Sequence, residues 1–275
     1  MPLVYGCIAP HGSEVIPALA SGRLGLFAPT RRGMRELAQD LKDARPNTIV
    51  IASPHNLRLP KHLGVVISEY STGRVAEGTR EVKLRAKCDV ELGMALIERA
   101  ERRRLPVVGA NYGALEGPMS DLAMDWGTLI PLWFFLKETR LKSKVLILTP
   151  ARGIPLEQNH EFGKCLAEVS EKSRKRVALV ASSDQAHAHR KDGPYGFDSR
   201  AKEYDKRVIE AIEGGKLSAL MRLDTRLVDA AKPDSLWQMT ILAGALSVVP
   251  MLGELVSYQV PTYYGMLCAG FTKNS

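Results

Sequence analysis

Short β-branched, apolar runs alternate with longer amphipathic segments along this chain, and that alternation constrains the fold most. Residues 3–8, 48–52, 63–68, 106–110, 144–148 and 177–181 read as strands. Between them, residues 30–44, 90–103, 157–172 and 200–212 place apolar side chains at helical spacing. In residues 30–44 those side chains are Met34, Leu37, Ala38 and Leu41, with Thr30 as the expected N-cap and Pro46 as the stop. The alternation predicts an α/β fold: a central mixed, mostly parallel sheet with helices on both faces.

The remaining segments are less regular. Residues 111–127 read as a Gly-rich loop, and residues 128–136 suit helix and strand equally. Residues 217–227 and 234–248 read as helices; Asp234, after Pro233, is a natural cap for the second. Residues 254–260 and 264–271 close the chain as strands.

No repeat, low-complexity stretch or linker divides the 275 residues, so a single domain, 1–275, is expected. The net charge of +8 suits an anionic partner, but the basic residues are dispersed. The densest runs, 99–104 and 172–176, fall at helix ends, where cations favour the helix dipole. Nucleic acid is therefore not an expected partner. Cys7, Cys88, Cys165 and Cys268 form no CxxC pair, which leaves a zinc knuckle unsupported and suits a reducing compartment. The start MPLVYGCIAPHG lacks the pattern of a signal peptide, and no apolar run reaches the roughly 18 residues of a membrane span. A cytoplasmic protein with no membrane partner is expected.

The chemistry concentrates in histidines. Of the six, His11, His55 and His187 each follow a strand at or just beyond its C-terminal end. In open α/β sheets the loops leaving those ends form the binding crevice. Pro10 and Pro54 precede His11 and His55 and bias the local backbone towards extended geometry, which aims each ring. Two neutral imidazoles plus a carboxylate make the facial triad of non-haem Fe(II) enzymes. The local zinc motif HExxH is absent.

Five stretches, in order, carry a family resemblance. They are CIAPHGSEVIP around His11, IASPHNLRLP around His55, MDWGTLIPL around Trp126, SSDQAHAHRKDGPYGFDSRAKEYD from residue 182, and KPDSLWQMTILAGAL from residue 232. The ending VSYQVPTYYGMLCAGF agrees with them. Together they resemble the class III extradiol ring-cleaving dioxygenases, the superfamily of the protocatechuate 4,5-dioxygenase β subunit. The resemblance spans nearly the whole chain. It implies that His11 and His55 ligate Fe(II) and that His187 is the catalytic acid/base. It places the carboxylate ligand at Asp234, where the family usually carries Glu, with Glu254 as the alternative. A helix cap remains the other reading of Asp234. Many members carry Asp-His-Gly where this chain has Asp125-Trp126-Gly127; Trp126 cannot move a proton but could stack on an aromatic ring. His189 is a second candidate for the substrate pocket, and Asp184 a candidate to orient His187.

The resemblance implies opening of a catechol or 2-aminophenol ring with O2. Small aromatic substrate and O2 are the expected partners, and a homodimer or a hetero-oligomer with a related subunit is the expected assembly. Three rivals remain at this point: a zinc hydrolase on the same ligands, a non-catalytic relative on the same fold, and a nucleic-acid binder.

Overall fold

The chain runs β1 (Leu3–Ala9), α1 (Ala28–Asp43), β2 (Thr48–Ala52), β3 (Leu63–Val66), β4 (Tyr70–Glu77), β5 (Arg80–Lys87), α2 (Val90–Arg102), β6 (Val107–Ala110), β7 (Asp121–Ala123) and α3 (Trp126–Leu132). It continues through β8 (Lys144–Thr149), α4 (Leu156–Ser173), β9 (Val177–Ser182), α5 (Arg200–Glu213), α6 (Thr225–Ala231), α7 (Leu236–Val248), β10 (Leu252–Gln259) and β11 (Met266–Thr272). This computed structural model describes residues 3–273, so the outermost two residues at each end of the expected domain lie outside the described residues.

Strand β2 explains the unbroken apolar runs. Ile49 and Ile51 enter one hydrophobic cluster, Val50 and Ala52 the other, and all four are fully buried. Successive side chains of a strand point to opposite faces, so a run with no polar break must be covered on both sides. One face packs on α2, α4, α5 and α7, through side chains such as Leu96, Phe162, Val208 and Ile241. The other packs on α1, α3 and the second sheet, through Met34, Leu37, Leu129 and Leu84. Burying one Leu or Phe side chain contributes about 1.5–3 kcal/mol, and the two clusters hold dozens of apolar residues between them.

The large sheet has the order β10-β11-β1-β9-β2-β8-β3-β6. Strands β1, β9, β2 and β8 are mutually parallel; β3 joins β8 antiparallel and β11 joins β1 antiparallel. The expected mixed, mostly parallel sheet with helices on both faces is therefore present. Helices α4 and α7 cross at two glycines. A Cβ on Gly163 would lie 1.9 Å from the Ile241 carbonyl oxygen, and one on Gly244 would lie 1.9 Å from that of His160.

Several local expectations change. Helix α1 starts at Ala28 with Pro29 in its first turn, so Thr30 lies inside it and its hydroxyl accepts from Gln259. The ambiguous stretch 128–136 is helical, passing from α3 into a π-helical turn at Trp133–Glu138. The expected helix 217–227 divides into a 3-10 turn, Leu217–Arg222, and α6, which Asp224 caps by accepting from the Arg226 amide. The loop 111–127 contains β7, which adds to the hairpin β4–β5 as a second, three-stranded sheet. The hairpin lies outside the strands that the sequence pattern predicts. Its cues are the alternation Val82, Leu84, Ala86 and the turn glycine Gly78 at φ +59°.

Candidate metal centre

Strand order builds the site. Because β1, β9 and β2 are neighbours and parallel, the loops leaving all three start at one edge of the sheet. His11 follows β1, His55 follows β2, and Asp184 and His187 follow β9. The N-terminal approach to α7 brings Asp234 to the same edge. His55 Nε2 lies 3.2 Å from His11 Nε2 and 3.1 Å from Asp234 Oδ2, and His11 Nε2 lies 3.3 Å from that oxygen. Three donor atoms, one from each residue, thus lie within 4.8 Å of one another.

These spacings suit one ion. Ligand bonds of about 2.1 Å put neighbouring donors about 3.0 Å apart at right angles and about 3.4 Å apart in a tetrahedron. The donor set of two imidazoles and one carboxylate is that of the facial triad.

The surroundings fix the rings. Pro131 sits inside α3 and has no N–H, so the Gly127 carbonyl lacks its usual i+4 donor. The Ser182 hydroxyl donates to that carbonyl instead. Its single proton is then used, so it accepts from His11 Nδ1–H at 2.9 Å, which leaves His11 Nε2 as the ligating nitrogen. The His11 amide donates to Asp184 Oδ1 at 3.0 Å. Ser53 donates to Asp125, whose carboxylate also caps α3 at the Thr128 amide. Gly127 is required here, because a Cβ would stand 2.6 Å from Ser53 Oγ and 3.3 Å from the His55 ring.

Burial alone would strip His11 of its proton. The carboxylates of Asp184 and Asp234 outweigh it and raise the pKa to about 9. Burial pushes Asp234 upward, but the His11 and His55 imidazoles hold it well below the usual carboxylate range. For Asp184 the balance goes the other way: burial, with Asp234 nearby, outweighs the lowering influence of His11 and His187 and raises it. A divalent cation would take the place of the His11 proton.

Asp234 does not cap α7. The helix starts at Leu236 behind Ser235, and Asp234 Oδ1 accepts from the Asp184 amide while Oδ2 faces the imidazoles. Glu254 lies exposed on β10 and is absent from the cavity lining.

The donors open into a cavity of about 1220 Å³ that His187, Trp126, Tyr195, Tyr263 and Tyr264 also line. Trp126 stacks on His55, with ring centroids 4.2 Å apart, and stays 46% exposed. The His187 ring stacks on Tyr264 at 5.4 Å, and its buried Nδ1 has no partner among the described residues. Asp184 therefore does not orient it through Nδ1. His189 goes elsewhere. Its Nε2 lies 2.8 Å from Asp205, which also accepts from Tyr258, and it lines no part of this cavity. The segment is not an extended strand there, so residues two apart do not share a direction. Tyr263 and Tyr264 were not foreseen. They precede β11, which runs antiparallel to β1, so its start shares an edge with the ends of the parallel strands.

Among the described residues no helix is long and apolar enough to cross a membrane. Residues 5–270 match the family described as the catalytic LigB subunit of aromatic ring-opening dioxygenase. A curated relative, "Protein CA_C1420" of Clostridium acetobutylicum, is 25% identical over 253 residues, which is 92% of this chain and 54% of that protein. The chain thus spans about half the length of that relative. A crystal structure titled as the uncharacterized protein JW3007 from Escherichia coli K12 has a similar fold, with TM-score 0.59 and 17% identity over 97% of this chain and 99% of that one.

Proposed function

Since this chain belongs to the family of the catalytic LigB subunit of aromatic ring-opening dioxygenase, we propose that it is a non-haem Fe(II) extradiol dioxygenase, opening a catechol or 2-aminophenol ring with O2. The observation that carries this reading is the convergence of His11 Nε2, His55 Nε2 and Asp234 Oδ2 on one point at the cavity floor. Ferrous iron there would supply the redox chemistry that couples a chelated ring to O2.

The protein's part is orientation and proton transfer. One carboxylate and two neutral imidazoles leave a dication with net positive charge, which favours an ionised diol over a neutral one. The exposed indole of Trp126 offers a flat wall against which an aromatic ring packs. His187 takes a proton from the substrate hydroxyl and returns it later. Its stack on Tyr264 fixes the ring, and the imidazole lines the cavity where the substrate hydroxyl would lie. His189 acts from outside the cavity, holding the loop after β9 through Asp205. A homodimer or a pair with a related subunit belongs to the same proposal, read from the molar mass in solution.

The test is oxygen uptake by protein reconstituted anaerobically with Fe(II), across catechols, 2-aminophenol and their carboxylates. Uptake that requires both iron and an ortho-substituted ring, with a ring-opened chromophore, is the expected result. His187→Ala keeps the iron and loses turnover. Zinc-dependent hydrolysis without O2 would replace this reading with a hydrolase, and absence of metal binding would replace it with a non-catalytic role.

A further inference from the structure

The stretch SSDQAHAHRKDGPYGFDSRAKEYD ends at Asp205, which sits on α5 and lines no part of the cavity. It is 1% exposed, and no Lys or Arg pairs with it among the described residues. A carboxylate buried without a fixed cation is costly unless its oxygens are hydrogen-bonded. Those of Asp205 take three donors. Oδ1 accepts from the Ala186 amide at 2.9 Å, and Oδ2 accepts from the His189 ring at 2.8 Å and from the Tyr258 hydroxyl at 2.7 Å. Two of these donors lie on either side of His187. The same segment is joined to residues 263–265 by its backbone. The Gln185 amide donates to the Gly265 carbonyl at 2.8 Å, the Gly265 amide to the Ala186 carbonyl at 3.0 Å, and the His189 amide to the Tyr263 carbonyl at 3.2 Å. A Cβ at Gly265 would stand 2.3 Å from Asp205 Oδ2, so the carboxylate is pressed against that second segment too.

One segment carries His187 and the other Tyr264, and their rings stack with planes 18° apart. The buried Nδ1 of His187 has no partner among the described residues, so the backbone and this stack aim the ring. We propose that Asp205 is a positioning residue: from behind the cavity it fixes the two segments that hold His187 and Tyr264 face to face. Its effect on turnover rests on the ring-opening reading; its hold on the His187 ring does not.

Two substitutions in the full chain separate positioning from general stability. Asp205→Asn keeps the side-chain shape but leaves one acceptor oxygen for three donors. Tyr258→Phe removes only the donor from β10 and spares both loop donors. Imidazole NMR of metal-free, histidine-labelled protein, with His187 assigned through His187→Gln, reads the ring directly. Asp205→Asn is expected to move the His187 signals off the Tyr264 face and to leave those of His11 and His55 in place; Tyr258→Phe is expected to leave all three. In Fe(II)-loaded protein, Asp205→Asn should lower kcat about 10- to 100-fold with KM and iron affinity within about twofold, the cost of a small misplacement of a reacting group. Tyr258→Phe should keep kcat. If Asp205→Asn does not fold, His189→Leu, which removes one of the two loop donors, must give the same split. Unchanged His187 signals, an unchanged kcat, a kcat loss that Tyr258→Phe reproduces, or a loss of iron affinity in step with kcat each overturn the assignment. If the parent takes up no O2 with any ring, the ring-opening reading fails, and the NMR comparison alone decides whether Asp205 holds His187.

Discussion

Strands β2 and β9 each carry a polar cluster at both ends, and the two clusters are built on opposite principles. At the N-terminal ends, Asp89 is 1% exposed and fully engaged. It accepts from the Thr48 hydroxyl, from Lys175 Nζ at 2.8 Å and from the Leu92 amide at the start of α2. Lys175 also reaches Glu91. At the C-terminal ends, Asp234 faces two imidazoles instead of a fixed cation, and His55 Nδ1 and His187 Nδ1 are buried without partners among the described residues. A buried carboxylate matched by a tethered ammonium ties the fold together. One matched by convergent imidazoles beside a cavity leaves room for a cation that exchanges.

Substitutions that affect one end and spare the other sharpen that contrast. His55→Ala is expected to have the largest effect, at least a thousand-fold weaker Fe(II) binding, or about 4 kcal/mol. Its metal-free melting temperature stays within a few degrees of the parent's, and metal titration beside thermal unfolding checks both. Asp89→Ala should behave in the opposite way. Removing one partner of a buried ion pair costs about 3 kcal/mol of stability in denaturant titrations, with metal affinity unchanged. If Asp89→Ala weakened metal binding as much as His55→Ala, the two ends would not be independent.

Ser182→Ala is subtler. It removes the acceptor that holds His11 Nδ1–H and should weaken metal binding about 10- to 100-fold. Imidazole nitrogen NMR would show mixed His11 tautomers. A parent-like affinity would mean that Asp184 and Asp234 suffice to orient the ring.

The smallest effects are pH slopes of opposite sign. Burial raises the Asp89 pKa, but Lys175 and Thr48 more than reverse this and leave it depressed. Its contribution is therefore present above the unfolded carboxylate value of about 3.9 and lost as pH falls below it. His11 is raised to about 9, so its contribution in metal-free protein is complete below about 6.5 and lost as pH rises through 9. Unfolding titrations from pH 3 to 10 should show both losses, and saturating metal should remove only the alkaline one.

Much of the fold was readable from periodicity. The unbroken run of β2 announced a strand covered on both faces, and the helical spacing of Met34, Leu37 and Leu41 announced α1. Boundaries were less so: Thr30 resembles a cap, but the helix starts before it, at Ala28, with Pro29 in the first turn. The site was legible where its residues follow parallel strands, as His11, His55 and His187 do. It was not legible at Tyr263 and Tyr264, because only antiparallel pairing of β11 brings a strand's start to that edge.

The sequence by itself determined the α/β alternation, the histidines at strand ends, and the presence of Asp234 at the approach to α7, since each depends on neighbours within a few residues. Only the tertiary structure decided that β1, β9 and β2 lie side by side. The same holds for the choice of Asp234 over Glu254 as the carboxylate facing the imidazoles, and for the separation of His189 from His187. The physical reason is distance along the chain. Contacts between residues 44 or 179 positions apart, as His55 makes with His11 and Asp234, are set by strand order and packing, which local pattern does not encode.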